Sequence, residues 1–230
     1  LRPPASDNPI SAAAAPFRYD LPRWEFRHFL GRWLYKIGHL FRGDGLSREE
    51  EDELLQRYFA LGAETVALRR DLAEGVDYEE TLSLLEAKRD EQRRLENKVE
   101  AILEGRVSQV LQDEGLATSL PLFSQVRFVF PPVDFEFDRP PQVLVISPRQ
   151  RISLDQSILL RSGLTLSEVI ALEQKTAATG VSSLVVDIHA VATYPSAVPA
   201  DASYPKVLES IAHEWLHQYL FFHPRGRNYF

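Results

Sequence analysis

Leu54, Tyr58, Leu61, Thr65, Leu68 and Leu72 recur at alternating spacings of four and three residues. A seam of that period is buried most easily by a helix lying along a partner helix, as in a coiled coil. Ser47 followed by Glu50 has the form of a capping box and sets the helix start. The helix is predicted to run to about Ala73, with Gly75 ending it. Asp77 is predicted to cap the next helix, which reaches roughly Asp113. That helix is apolar at Leu95, Val99, Ile102 and Val110 and strongly charged from Glu86 to Arg94. Two long helices across a short joint make an antiparallel hairpin. Its charged centre reads as a solvated face, with partner binding as the alternative.

Upstream, residues 1–20 are rich in Ala and Pro and read as a flexible lead-in. Residues 21–41 are amphipathic and predicted helical: Trp24, Phe29, Trp33, Ile37 and Phe41 are interleaved with Arg23, Arg27, Arg32 and Lys36. Such a stripe packs on the rest of a fold, or lies in a membrane interface as a peripheral contact over residues 21–42. Gly43 and Gly45 then break it. No apolar run approaches the length of a membrane span, and no signal peptide is recognisable. Because it begins at Leu1, the chain is expected to be a processed or trimmed piece, with a lean toward a membrane-associated or cell-envelope setting.

With 230 residues, 44% hydrophobic and 26% charged, the composition is that of an ordered globular chain of one or two domains. The net charge of −7 argues against bulk nucleic-acid binding. There is no cysteine, so disulfides and thiolate metal sites are excluded and any metal must use His and carboxylate.

After Gly115 the pattern changes. Val126–Phe130, Val133–Phe137 and Gln142–Ser147 are short β-rich runs punctuated by prolines. In the second, Phe135 and Phe137 alternate with Asp134 and Glu136, as in a strand with one wet face. Thr165–Ala178 reads as a helix with Gly180 beyond its end, and Leu184–Thr193 as a further strand. The division expected is a lead-in (1–20), a helical region (21–115) and an α+β region (116–230). The fold class is therefore α+β: a helical hairpin, then a small mixed sheet.

The chemistry gathers near the end, in His213-Glu214-Trp215-Leu216-His217, which fits the H-E-x-x-H pattern of zinc-dependent hydrolases. Residues four apart on a helix share a face, so both imidazoles can reach one ion. Glu214, about 100° round from His213, can reach a water held there without being a ligand. From Tyr204 to His223 there is no Gly, and Pro205 sits in a tolerant first turn. Projection places Val207, Leu208, Ile211, Trp215, Tyr219 and Phe222 on an apolar back. Lys206, Glu209, Ser210, His213, His217 and Leu220 lie in front.

Residues 120–230 resemble the zincin metallopeptidases in this motif and in the order strands, helix, strand, motif helix. The resemblance implies a zinc ion held by His213 and His217, with Glu214 as general base of peptide hydrolysis. It also implies that Leu184–Thr193 is a sheet edge that pairs with an extended peptide or protein substrate. The metzincin branch would take His223 as third ligand. However, Leu220 stands where that branch has Gly, and the chain has no Met for its turn. The gluzincin branch takes a downstream Glu, and the seven residues after His223 contain no acid. The expectation is gluzincin-like, with a domain incomplete at its C-terminal end and a third ligand outside these residues. Asp187 is the upstream alternative. His189, Tyr194 and Tyr229 are weaker candidates for oxyanion stabilisation. The competing reading is a non-catalytic interaction protein whose hairpin binds a partner.

Overall fold

The computed structural model describes residues 8–19, 45–120, 123–188 and 193–223. The stretch expected to be helical over residues 21–41, together with His189 and Tyr229, lies outside them.

The hairpin is built as its seam requires. Its first long helix, α2 (Arg48–Ala73), opens with a reciprocal cap: Ser47 Oγ accepts the Glu50 N–H at 3.2 Å, and Glu50 Oε2 accepts the Ser47 N–H at 2.7 Å. The second, α3 (Tyr78–Asp113), returns antiparallel. Between them Gly75 adopts a φ of 79°, open to glycine at no steric cost. Asp77 does not cap α3 as expected. Its φ is 29° and ψ 62°, away from the extended conformation from which an N-cap side chain reaches the N2 or N3 N–H, so its carbonyl takes the first helical bond from Thr81 while its carboxylate caps nothing. Leu55, Tyr58, Leu61 and Thr65 of α2 are buried, as are Leu85, Val99, Ile102, Leu103 and Val107 of α3. Val110 is exposed, since α3 runs past the end of its partner there. Cross-helix pairs Lys88–Glu64 (2.6 Å) and Arg106–Glu51 (2.9 Å) suit the antiparallel register while contributing little energy each.

The strands form three small sheets. β1 (Ala117–Leu120) and β2 (Phe123–Val129) pair antiparallel. β3 (Phe135–Phe137) pairs in parallel with β7 (Ser196–Val198). β4 (Gln142–Pro148) lies between β5 (Gln156–Leu160) and β6 (Val181–Asp187), antiparallel to both. Helix α4 (Leu166–Ala177) packs on β6, and α5 (Tyr204–Phe222) carries the H-E-x-x-H residues. The chain is thus α+β. The strand expected over Leu184–Thr193 begins three residues earlier and ends at Asp187. β1, β5 and β7 had no distinct period-2 signal.

β3 departs from its alternating pattern in an informative way. Asp134 and Glu136, expected on a wet face, are buried along with Phe135 and Phe137. One edge of β3 is taken by β7, and α3 covers the other. Glu104 Oε1 accepts the Phe135 N–H at 3.1 Å, and Glu100 Oε1 accepts the Phe137 N–H at 2.8 Å. Four helical residues rise about 6 Å and two strand residues about 6.6 Å, so an i,i+4 pair of carboxylates matches alternate strand amides. The helix stands in for a missing strand.

Two cores result. The first joins Tyr58, Val99 and Leu103 of the hairpin to Phe135, Phe137 and Val198, and to Val207, Ile211 and Trp215 of α5. The second lies around the β4 sheet: Leu144, Ile146, Ile158, Leu160 and Leu172 enclose Ile10 and Ala14. Those last two belong to a short helix, α1 (Pro9–Ala14), capped by Asn8. Residues 8–19 are therefore not the flexible lead-in that their Ala and Pro content suggested. The Arg161 N–H bonds Phe17 O at 2.7 Å and the Tyr19 N–H bonds Leu159 O at 3.0 Å, tying the segment to β5. No described helix is long and apolar enough to cross a membrane.

Candidate metal centre

Helix α5 is held from behind by an apolar contact and two polar clamps. Trp215 is 2% exposed, and its Nε1–H donates to Pro131 O at 2.7 Å. Its ring stacks on Tyr219 with centroids 5.1 Å apart. Gln218 donates to Thr193 O at 2.5 Å and to Ser196 Oγ at 2.9 Å, fastening the helix to β7. These bonds turn the buried face toward polar residues: Ser210, Glu214 and Gln218 are buried beside Val207, Ile211 and Trp215. Projection alone had put Ser210 in front and Phe222 behind. Phe222 is 54% exposed, meeting Phe130 at a ring distance of 5.5 Å.

With that face fixed, His213 and His217 are exposed to solvent. Their Nε2 atoms lie 3.1 Å apart, with the rings at 79° to each other. Two nitrogens at that separation can each sit about 2.05 Å from one ion, subtending roughly 100° at it, near the tetrahedral value. A core-satisfied histidine pair would be buried, and this one is not. Glu214, between them in sequence, is 7% exposed. Burial raises its carboxyl pKa above the usual range, outweighing the opposing pull of His213 and His217.

The other sequence candidates do not join this pair. His223 ends α5 in an extended conformation (φ −90°, ψ 136°) and its ring stacks on Tyr219 at 5.1 Å. It continues the Trp215–Tyr219 row, which runs on the opposite side of the helix from His213 and His217. Asp187 accepts from Gln142 Nε2 at 2.7 Å, within the β4 sheet. Tyr194 is half-buried, and burial, with Asp134 and Glu104 nearby, raises its phenol pKa. Among the described residues no group of three or more His, Asp or Glu is placed to hold a metal. The edge of β6 is partly occupied as well: the Val185 N–H donates to Glu173 Oε1 of α4 at 2.8 Å.

Helical projection of the sequence does not reveal the clamp at Gln218. A signal existed in the i,i+4 row Ser210–Glu214–Gln218, three polar residues along a line that borders the apolar face. Comparisons with protein-family models, with curated proteins and with solved structures find no match to this chain.

Proposed function

We propose that the chain is a zinc-dependent peptidase in which His213 and His217 are metal ligands and Glu214 is the general base. The observation that supports this is the convergence of two exposed imidazole nitrogens, 3.1 Å apart, beside a buried carboxylate. Bound zinc would supply Lewis acidity, lowering the pKa of water and polarising the scissile carbonyl. Glu214 takes a proton from the attacking water and returns it to the leaving amine. The two histidines must be neutral to offer their Nε2 lone pairs, so metal affinity falls as they protonate. On the gluzincin-like reading the third protein ligand would come from outside these 230 residues. The alternative, a zincin-like interaction protein acting through its hairpin, draws on the lack of a third donor among the described residues.

Elemental analysis of the longest natural form of the chain, and of variants of that form, tests the reading. About one zinc per chain is expected, lost in His217→Ala and retained in Glu214→Gln. The Glu214→Gln form is expected to hydrolyse a denatured protein substrate some hundred- to ten-thousandfold more slowly. A long form that binds no zinc at micromolar concentration overturns the peptidase reading and favours the hairpin.

A further inference from the structure

The end of the hairpin opposite its turn carries an uncovered aromatic surface. A cavity of about 290 Å³ lies between the C-terminal end of α3, the start of β1 and the end of α5, lined by Leu116, Phe130, Tyr219, Phe222 and His223. Phe130 and Phe222 are 47% and 54% exposed, with their rings 5.5 Å apart. Val110, where α3 overruns α2, is 59% exposed. Contiguous apolar surface of this kind marks an interface. Ligand sites ordinarily span about 300–1,000 Å³, so this cavity suits an aromatic side chain better than a cofactor. We propose that it receives the aromatic face of this chain's own residues 21–42, which lie outside the described residues.

Where that segment joins α2 singles it out as the occupant. Arg106 of α3 reaches Glu51 of α2 at 2.9 Å, so Ser47, about one turn earlier, is roughly level with Val110 in the antiparallel pair. Gly115 lies some 7 Å beyond Val110, and packed helices are about 9 Å apart, so the chain enters α2 roughly 12 Å from the cavity's lip. The stretch from Trp33 to Gly45 spans about 18 Å as helix and about 40 Å extended, and Trp33 reaches the lip in either form. Charge agrees with position. Over residues 48–53 and 106–114, seven carboxylates stand against two arginines, and Glu49, Glu53, Asp113 and Glu114 are exposed. One of those arginines, Arg106, is committed to Glu51 and Asp52. Residues 21–42 carry five Arg or Lys against Glu25 alone. They also hold two of the chain's three tryptophans, Trp24 and Trp33, and an indole packs edge-to-face among phenyl rings. Tyr19 is bound to β5 on one side and α2 follows on the other, so the segment is held near the cavity at high effective concentration.

This inference does not depend on the zinc site, whose histidines face the other side of α5. Its test is hydrogen exchange read by mass spectrometry on the full chain at about 1 and 50 μM. A free segment of this length holds little structure of its own, so docking is expected to protect residues 21–42 equally at both concentrations. Phe222→Glu, a change at an exposed position, should speed exchange there about tenfold while α2 and α3 keep their parent rates. Glu114→Lys should speed it about threefold, although a cation at the C-terminal end of α3 favours that helix. Phe221→Glu, outside the cavity lining, should leave the segment's exchange unchanged. Protection lost on dilution would assign the cavity to a second copy, and protection gained only on phosphatidylglycerol vesicles would make the segment a membrane contact. Either result overturns the proposal, as does an absence of protection or a protection that Phe222→Glu leaves intact.

Discussion

Replacing Trp215 by Phe tests how firmly α5 is held beneath its histidines. The indole is 2% exposed and donates to Pro131 O at 2.7 Å. Phenylalanine keeps the stacking surface for Tyr219 but has no donor, leaving a buried carbonyl unsatisfied at a cost of about 1–3 kcal/mol. It is also smaller than indole by roughly 40 Å³, and at about 24 cal/mol per Å³ of residual cavity this adds about 1 kcal/mol. The expected loss is therefore about 2–4 kcal/mol. Urea unfolding followed by far-ultraviolet circular dichroism avoids the fluorescence change that the substitution itself causes. The midpoint should fall with the m value unchanged. A loss under about 0.5 kcal/mol would refute the argument, because neither the hydrogen bond nor the packing could then hold the helix.

Glu104→Ala strips the buried Phe135 N–H of its acceptor and should cost about 2 kcal/mol in urea unfolding. Glu104→Gln keeps a carbonyl acceptor and should cost less, and equal losses would show that the edge bond is not the cause. At the start of α4, the Thr165 backbone N–H, the Thr165 hydroxyl and Arg161 hold the Glu168 carboxyl below its usual pKa. A depressed pKa means that the stabilisation is present above the unfolded-state value, about 4.3, and is lost as pH falls through the folded value. The melting-temperature difference between the parent chain and Glu168→Gln should thus be constant from pH 7 to about 5 and shrink below that. A difference that widens on acidification would contradict it.

The long-range division of labour is clearest in the two helices that matter most. The limits of α2 and α3 were legible because a seam, a reciprocal cap and a positive-φ glycine are local signals, each acting within a few residues of chain. The same holds for α4, where Thr165, Glu168 and Gly180 mark both ends. The spacing of His213 and His217 likewise determined that their imidazoles share a face, since that follows from helix geometry alone. Which face points outward was decided elsewhere. Trp215 found Pro131, 84 residues away, and Gln218 found Thr193 and Ser196, so the helix is rotated to bury Glu214 with Ser210. Asp134 and Glu136 looked solvated because alternation reports polarity, not surroundings. Only the approach of α3, with Glu100 and Glu104 spaced to meet two strand amides, buried that edge. The residues at 8–19 gained structure the same way, from a bridge to β5 that no local pattern contains. Local propensity settles where a helix begins and ends; which side of it meets water depends on partners that only the folded chain brings within hydrogen-bond reach.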